Sequence, residues 1–134
     1  MLQLRRPALE LIVDRCLKEY PLEACGLISG PEGSALAEQF HPCVNTAASA
    51  KVYALDPMEH LRIERSVEDA DGEIIGVVHS HTHSEPYPSP TDVAQAPDPG
   101  WHYVIVSLKR EAPEVRSYRI VDGMITEEPI VVVD

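Results

Sequence analysis

The stretch Glu73-Ile74-Ile75-Gly76-Val77-Val78 is almost entirely apolar and β-branched, and it ends directly on His79-Ser80-His81. A strand with one wet face alternates polar and apolar residues, whereas an unbroken apolar run predicts a strand covered on both faces. Such a strand needs a layer of structure on each side. The fold must therefore be stacked, and His79 emerges at the end of its central strand.

Neighbouring segments favour α/β layers. Leu9, Ile12, Val13, Cys16, Leu17 and Tyr20 recur at helical spacing, which predicts an amphipathic helix over 7–20 with Pro7 in its first turn and Pro21 as its stop. Asp56-Pro57-Met58-Glu59 opens a second helix, with Asp56 as cap and Glu59 closing a capping box, expected to run to about Ala70. Cys25–Ser29 reads as a short buried strand before the turn Gly30-Pro31-Glu32-Gly33. Residues 35–43, 51–55, Tyr103–Leu108, Val115–Val121 and Ile130–Val133 read as further strands, with Asp122-Gly123 a turn between the last two. The order helix, strands, helix, strands predicts an α/β domain with a mixed sheet, not a regular βαβ array.

At 134 residues and 44% apolar content, the expectation is one domain, 1–134, with a substantial core. A formal charge of −11 argues against nucleic acid and against an anionic membrane surface, since both would repel it. Cys16, Cys25 and Cys43 form no C-x-x-C pair and suggest free thiols in a reducing compartment. The start, MLQLRRPALEL, lacks the apolar core of a signal peptide, and no apolar run approaches the ~20 residues of a membrane span. The expected location is the cytoplasm.

Side chains of an extended chain alternate, so His79 and His81 point to the same side. A carboxylate from the next element would complete a three-ligand face and leave the fourth position of a tetrahedral zinc open to water, the layout of a catalytic site. Asp92 can supply that carboxylate. Ser89-Pro90-Thr91-Asp92 is also an S-x-x-D capping box with proline at the first helical position, which alone would account for both residues. The two readings are compatible, because a capped helix start would hold Ser89 and Asp92 rigidly beside the histidines. His83 continues the period-two series and competes as a ligand. The stretch H-S-H-T-H-S-E also imitates a cupin metal motif through His81 and Glu85. Against that stand the missing flanking glycines, the missing second histidine motif and two helix signals unsuited to an all-β barrel.

Glu23 alone would read as a solvated surface acid, yet Pro-Leu-Glu-Ala-Cys-Gly-Leu leads straight into a buried strand. Cys25 would share its face in an extended chain. A small core residue is the simpler reading of Cys25, since a nucleophilic thiol needs an adjacent base and the nearby histidines are better used on metal.

Together these residues resemble the JAMM, or MPN-plus, metalloprotease family. Its pattern is a distant glutamate followed by H-S/T-H, seven residues, serine, two residues and aspartate. Glu23, His79, Ser80, His81, Ser89 and Asp92 match it with the full spacing. The stretches SHT, YPS-x-TDV, RSYRIVDG and TEEP are similar to small bacterial members that hydrolyse sulfur-carrier–cysteine conjugates. Thr82 stands where a proline is common, without disturbing the motif. The resemblance implies an α/β fold with a curved mixed β-sheet flanked by helices, a cytidine-deaminase-like architecture with zinc at one edge. It further implies one zinc on His79, His81 and Asp92, with Glu23 as general acid/base and Ser89 as oxyanion donor. The implied substrate is the amide after the C-terminal Gly-Gly of a ubiquitin-like sulfur-carrier protein, cysteine being released without a covalent enzyme intermediate. A deubiquitinase-like isopeptidase on another ubiquitin-like protein and a non-catalytic MPN scaffold are the alternatives. Such scaffolds typically lose the histidines, the aspartate or the glutamate, and this chain keeps all of them.

Overall fold

Three helices and nine strands follow one another in the computed structural model, which describes all residues from Met1 to Asp134. The order is β1 (Leu2–Arg5), α1 (Arg6–Glu19), β2 (Cys25–Pro31), β3 (Leu36–Ala37), β4 (Gln39–Cys43), α2 (Pro57–Asp69), β5 (Gly72–His81), α3 (Pro90–Ala94), β6 (His102–Ser107), β7 (Glu114–Val121), β8 (Met124–Glu128) and β9 (Ile130–Val133). Six strands form a mixed sheet in the order β4-β2-β5-β6-β7-β8, while β3-β1-β9 form a separate three-stranded sheet. Within the larger sheet β5 and β6 run parallel and the other pairs antiparallel.

The apolar run becomes β5, a central strand buried without interruption from Ile75 to His81. On one side Ile75 and Val78 pack with Leu2 and Leu4 of β1 and with Ala8, Ile12 and Cys16 of α1. On the other, Val77 packs with Leu27, Tyr103, Ile105 and Tyr118, and Ile63 of α2 closes on this second cluster. Burial of such a side chain is worth about 1.5–3 kcal/mol, so the two-sided covering holds β5 firmly at the centre of the molecule. Gly76 is what lets β6 approach: a Cβ there would lie 2.1 Å from the His102 carbonyl oxygen.

Helix α1 follows the expected boundaries closely, but its buried stripe is Ala8, Ile12 and Cys16, while Leu17 and Tyr20 face solvent. In α2, Asp56 caps by accepting from Met58 N at 3.2 Å. The expected Glu59 half of that capping box does not form, because Glu59 Oε1 instead accepts from Val44 N at 3.2 Å. Residues 51–55 are not a strand. The Asn45 side chain takes the Ala54 N–H and the Val52 carbonyl, so these backbone groups have no need of a ladder. Glu38 divides the expected strand 35–43 into β3 and β4. Strands β1 and β8 are additions to the sequence reading. The turn joining β7 to β8 has Asp122 at φ 51° and Gly123 at φ 76°, the left-handed pair that a tight Asp-Gly hairpin requires.

Candidate metal centre

Strand β5 carries His79, Ser80 and His81 as its last three residues, so the alternation places both imidazoles on one face and Ser80 on the other. The site therefore lies at the end of a central strand and not at the lateral edge of the sheet. A proline-rich loop then leads to α3. Tyr118 Oη donates to the Pro86 carbonyl and Ser107 Oγ to the Ser84 carbonyl at 2.6 Å, pinning that loop to β6 and β7. At its far end the S-x-x-D box is complete: Asp92 N–H donates to Ser89 Oγ at 3.1 Å, and Ser89 N–H donates to Asp92 Oδ2 at 2.8 Å. The Ser89 hydroxyl hydrogen stays free for another acceptor.

His79 Nε2, His81 Nε2 and Asp92 Oδ2 converge at separations of 3.0–3.2 Å. The Nδ1–H of His81 donates to the Glu85 carbonyl at 2.8 Å, so the neutral ring has its lone pair on Nε2, facing the cluster, while the protonated ring donates from Nε2 to Asp92. His79 is held differently. Its ring stacks on Tyr53 with centroids 4.5 Å apart and planes 24° apart, and its Nδ1 is buried without a partner. Both histidines are at most 4% exposed. Burial lowers the pKa of His79, although Asp92 opposes that shift. Burial works in the same direction on His81, but Asp92 and the Glu85 carbonyl overcome it and raise its pKa. Asp92, despite burial, is held far below the usual carboxylate range by hydrogen bonds from both rings.

Two imidazole nitrogens facing a carboxylate oxygen suit a borderline cation such as zinc once their protons toward the cluster have left. Ligands about 2.0–2.1 Å from a tetrahedral ion lie roughly 3.4 Å apart, close to the observed spacing. The donor set and its spacing fit a metal.

Glu23 precedes β2 and is 4% exposed. Burial pushes its carboxyl up to about 7, the neighbouring His81 pulling it down and Asp92 pushing it further up. Its Oε1 is buried without a hydrogen-bond partner. Cys25 pairs with His79 across the β2–β5 ladder and is buried in the core, where burial pushes its thiol up to about 12. A thiol so protonated is a packing residue. His83 is exposed, with Nδ1 2.9 Å from Thr82 Oγ1 and Nε2 3.3 Å from Tyr20 Oη, and it stands outside the converging cluster. Glu85 pairs with Lys109 and Arg110 through its carboxylate, which removes it from the cupin-like ligand pattern. A cavity of about 600 Å³, lined in part by Arg5, Ser29, His41 and Asp71, contains none of these site residues.

Sequence reasoning missed Tyr53 and Asn45. Asn45 lies in loop 44–54 and bonds both the Glu23 carbonyl and the loop's own backbone. An asparagine at the head of a run of small residues is an Asx-turn signal, which could have marked it.

Residues 5–121 match the family described as prokaryotic homologs of the JAB domain, and the chain belongs to that family, as a hydrolase of JAMM type. Over its full length it is 44% identical to the CysO-cysteine peptidase of Mycobacterium tuberculosis, covering 92% of that protein. It is 40% identical to the desampylase of Haloferax volcanii across 65% of this chain and 63% of that one. Among solved structures, protein DSY2949 from Desulfitobacterium hafniense superposes with a TM-score of 0.88 at 28% identity, covering 100% of this chain and 94% of that one. The JAB1/MPN domain protein AF2198 from Archaeoglobus fulgidus gives a TM-score of 0.67 at 18% identity, with 98% and 97% covered, a likeness of fold alone.

Proposed function

We propose that this chain is a zinc-dependent hydrolase that cuts the amide bond after the C-terminal Gly-Gly of a ubiquitin-like sulfur-carrier protein, releasing cysteine in the cytoplasm. The convergence of His79, His81 and Asp92, in a chain 44% identical along its whole length to a CysO-cysteine peptidase, carries this reading.

His79, His81 and Asp92 would hold one zinc per chain. Zinc bound there supplies a Lewis acid that polarises the scissile carbonyl and lowers the pKa of water from ~15.7 toward ~7. Glu23 accepts the proton of the attacking water on its carboxylate, then delivers it to the leaving amine of the cysteine. Its raised pKa suits both halves of that task near neutral pH. The free hydroxyl hydrogen of Ser89 donates to the oxyanion of the tetrahedral intermediate, where a single well-placed donor is worth about 3–4 kcal/mol. Proline and the capping box fix that donor before substrate arrives. A glycine tail suits such a site because an extended strand without side chains can bring its backbone close to a buried ion.

Zinc-loaded protein incubated with a carrier ending in Gly-Gly–cysteine should remove one cysteine residue and restore the free Gly-Gly terminus, read by intact mass. An unchanged carrier, across several Gly-Gly carriers, would overturn the substrate assignment. The likeness to the desampylase favours a second reading, an isopeptidase on another ubiquitin-like protein. Faster cleavage of a Gly-Gly–lysine isopeptide in the same assay would select it.

A further inference from the structure

The buried carboxylate of Glu23 poses a mechanical problem. Its Oε1 has no hydrogen-bond partner, so side-chain bonds do not aim it. Its aim must come from the main chain that carries it, and that main chain lies outside any helix or strand.

All four backbone polar groups of Glu23 and Ala24 are nevertheless paired, from two sides. Loop 44–54 takes the first two: Glu23 N–H donates to the Ser49 carbonyl at 2.8 Å, and Asn45 Nδ2 donates to the Glu23 carbonyl at 3.0 Å. Strand β5 takes the other two through Ser80, fully buried between the two histidines. Ala24 N–H donates to Ser80 Oγ at 2.8 Å, and Ser80 N–H donates to the Ala24 carbonyl at 3.0 Å. Asn45 also organises the loop it comes from. Its Nδ2 donates to the Val52 carbonyl at 3.0 Å, and its Oδ1 accepts from Ala47 N and Ala54 N, each at 3.0 Å. The amide thus uses both donors and both acceptor positions. The same loop presents Tyr53 to the ring of His79, and its Ala50 carbonyl accepts from Thr82 Oγ1 at 3.2 Å.

We infer that Asn45 and Ser80 are positioning residues for Glu23, clamping its main chain from opposite sides so that its unpartnered carboxylate stays aimed at the reacting centre. Neither is a metal ligand: Asn45 stands in the loop, and Ser80 faces away from the imidazoles. The inference rests on the reading of Glu23 as the general acid/base. Small displacements of a catalytic group are costly, about 1 Å being enough for a 10²-fold loss.

The test uses zinc-loaded full-length chain and a carrier ending in Gly-Gly–cysteine. Asn45→Ala should retain one zinc and lower kcat at least ~10-fold with KM changed by less than about twofold, since the lost aim affects chemistry and not binding. Hydrogen exchange at the Glu23 and Ala24 amides should accelerate. Ser80→Ala should behave alike, and Ser80→Thr, which keeps the hydroxyl, should restore the rate. Wild-type kcat in folded Asn45→Ala, or a loss of kcat without faster exchange at those two amides, overturns the clamp. If Asn45→Ala does not fold, the Ser80 pair decides in the same way: wild-type kcat in Ser80→Ala, or no recovery in Ser80→Thr, overturns it. Glu23→Gln separates the two readings, since an active Glu23→Gln enzyme refutes the acid/base role, whereas a neutral Asn45→Ala beside an inactive Glu23→Gln refutes only the clamp.

Discussion

Glu23 and Asp92 are both carboxylates shielded from water, and their surroundings drive them apart. Burial raises Glu23, while hydrogen bonds from His79 and His81 hold Asp92 down against its own burial. Environments that separate two carboxylates in this way divide them into a proton carrier and a permanent anion. Glu23→Gln should therefore keep the fold and its zinc, by metal analysis, and lose about 10²–10⁴-fold in kcat. His81→Ala should instead lose most of the zinc, and Cys25→Ala should keep both zinc and appreciable activity. The residues legible in the sequence were those with local spacing: His79, His81, Ser89 and Asp92 lie on one short stretch with motif periodicity. Tyr53 was not legible, and Asn45 carried only the general signal of a turn. Their partners are brought to them only by strand pairing: β2 with β4 sets the Glu23 carbonyl beside Asn45, and β2 with β5 brings in the His79 ring.

Elements differed in legibility for a related reason. The β5 run announces itself because a strand covered on both faces needs an unbroken apolar sequence, and α1 shows its helical spacing. Strands β1 (Leu-Gln-Leu-Arg) and β8 (Met-Ile-Thr-Glu-Glu) lack the β-branched apolar run that marks β9, itself only four residues long, and β1 finds its neighbours only in β3 and β9. Residues 51–55 misled in the other direction, since the Val52 carbonyl and the Ala54 N–H of this strand-like run pair with Asn45. Strands β5 and β6 meet at a close joint. Gly76→Ala would place a methyl group against the His102 carbonyl at 2.1 Å, and backbone cannot yield as a flexible side chain does. A loss of at least ~2 kcal/mol is expected, read as a lowered urea midpoint.

Away from the metal cluster, the whole molecule carries a third shielded carboxylate, which binds three strands together. Glu128 of β8 accepts from Ser117 of β7 at 2.8 Å and lies 2.6 Å from His102 Nδ1 of β6. Burial pushes Glu128 up, but the bonds from His102 and Ser117 prevail and bring it from 4.5 to about 2. A carboxyl whose folded pKa is depressed adds stability that is complete above its unfolded value and lost as pH falls toward the folded one. Unfolding free energy should accordingly drop between pH 4.5 and 2 by about 3 kcal/mol through this group, and Glu128→Gln should flatten that part of a denaturant-midpoint profile. The pairing of β2 with β5 has a further consequence, for the order in which the molecule assembles. His79 and Asp92 are 13 positions apart along the chain, whereas Ala24, next to Glu23, meets Ser80 across 56. Closure of short loops precedes distant strand pairing, so the ion-binding residues can meet while the chain is still half folded. With the zinc site and the Glu23 role proposed above, an ion would be captured early and the centre would stay inert until Glu23 docks, silent during its own synthesis.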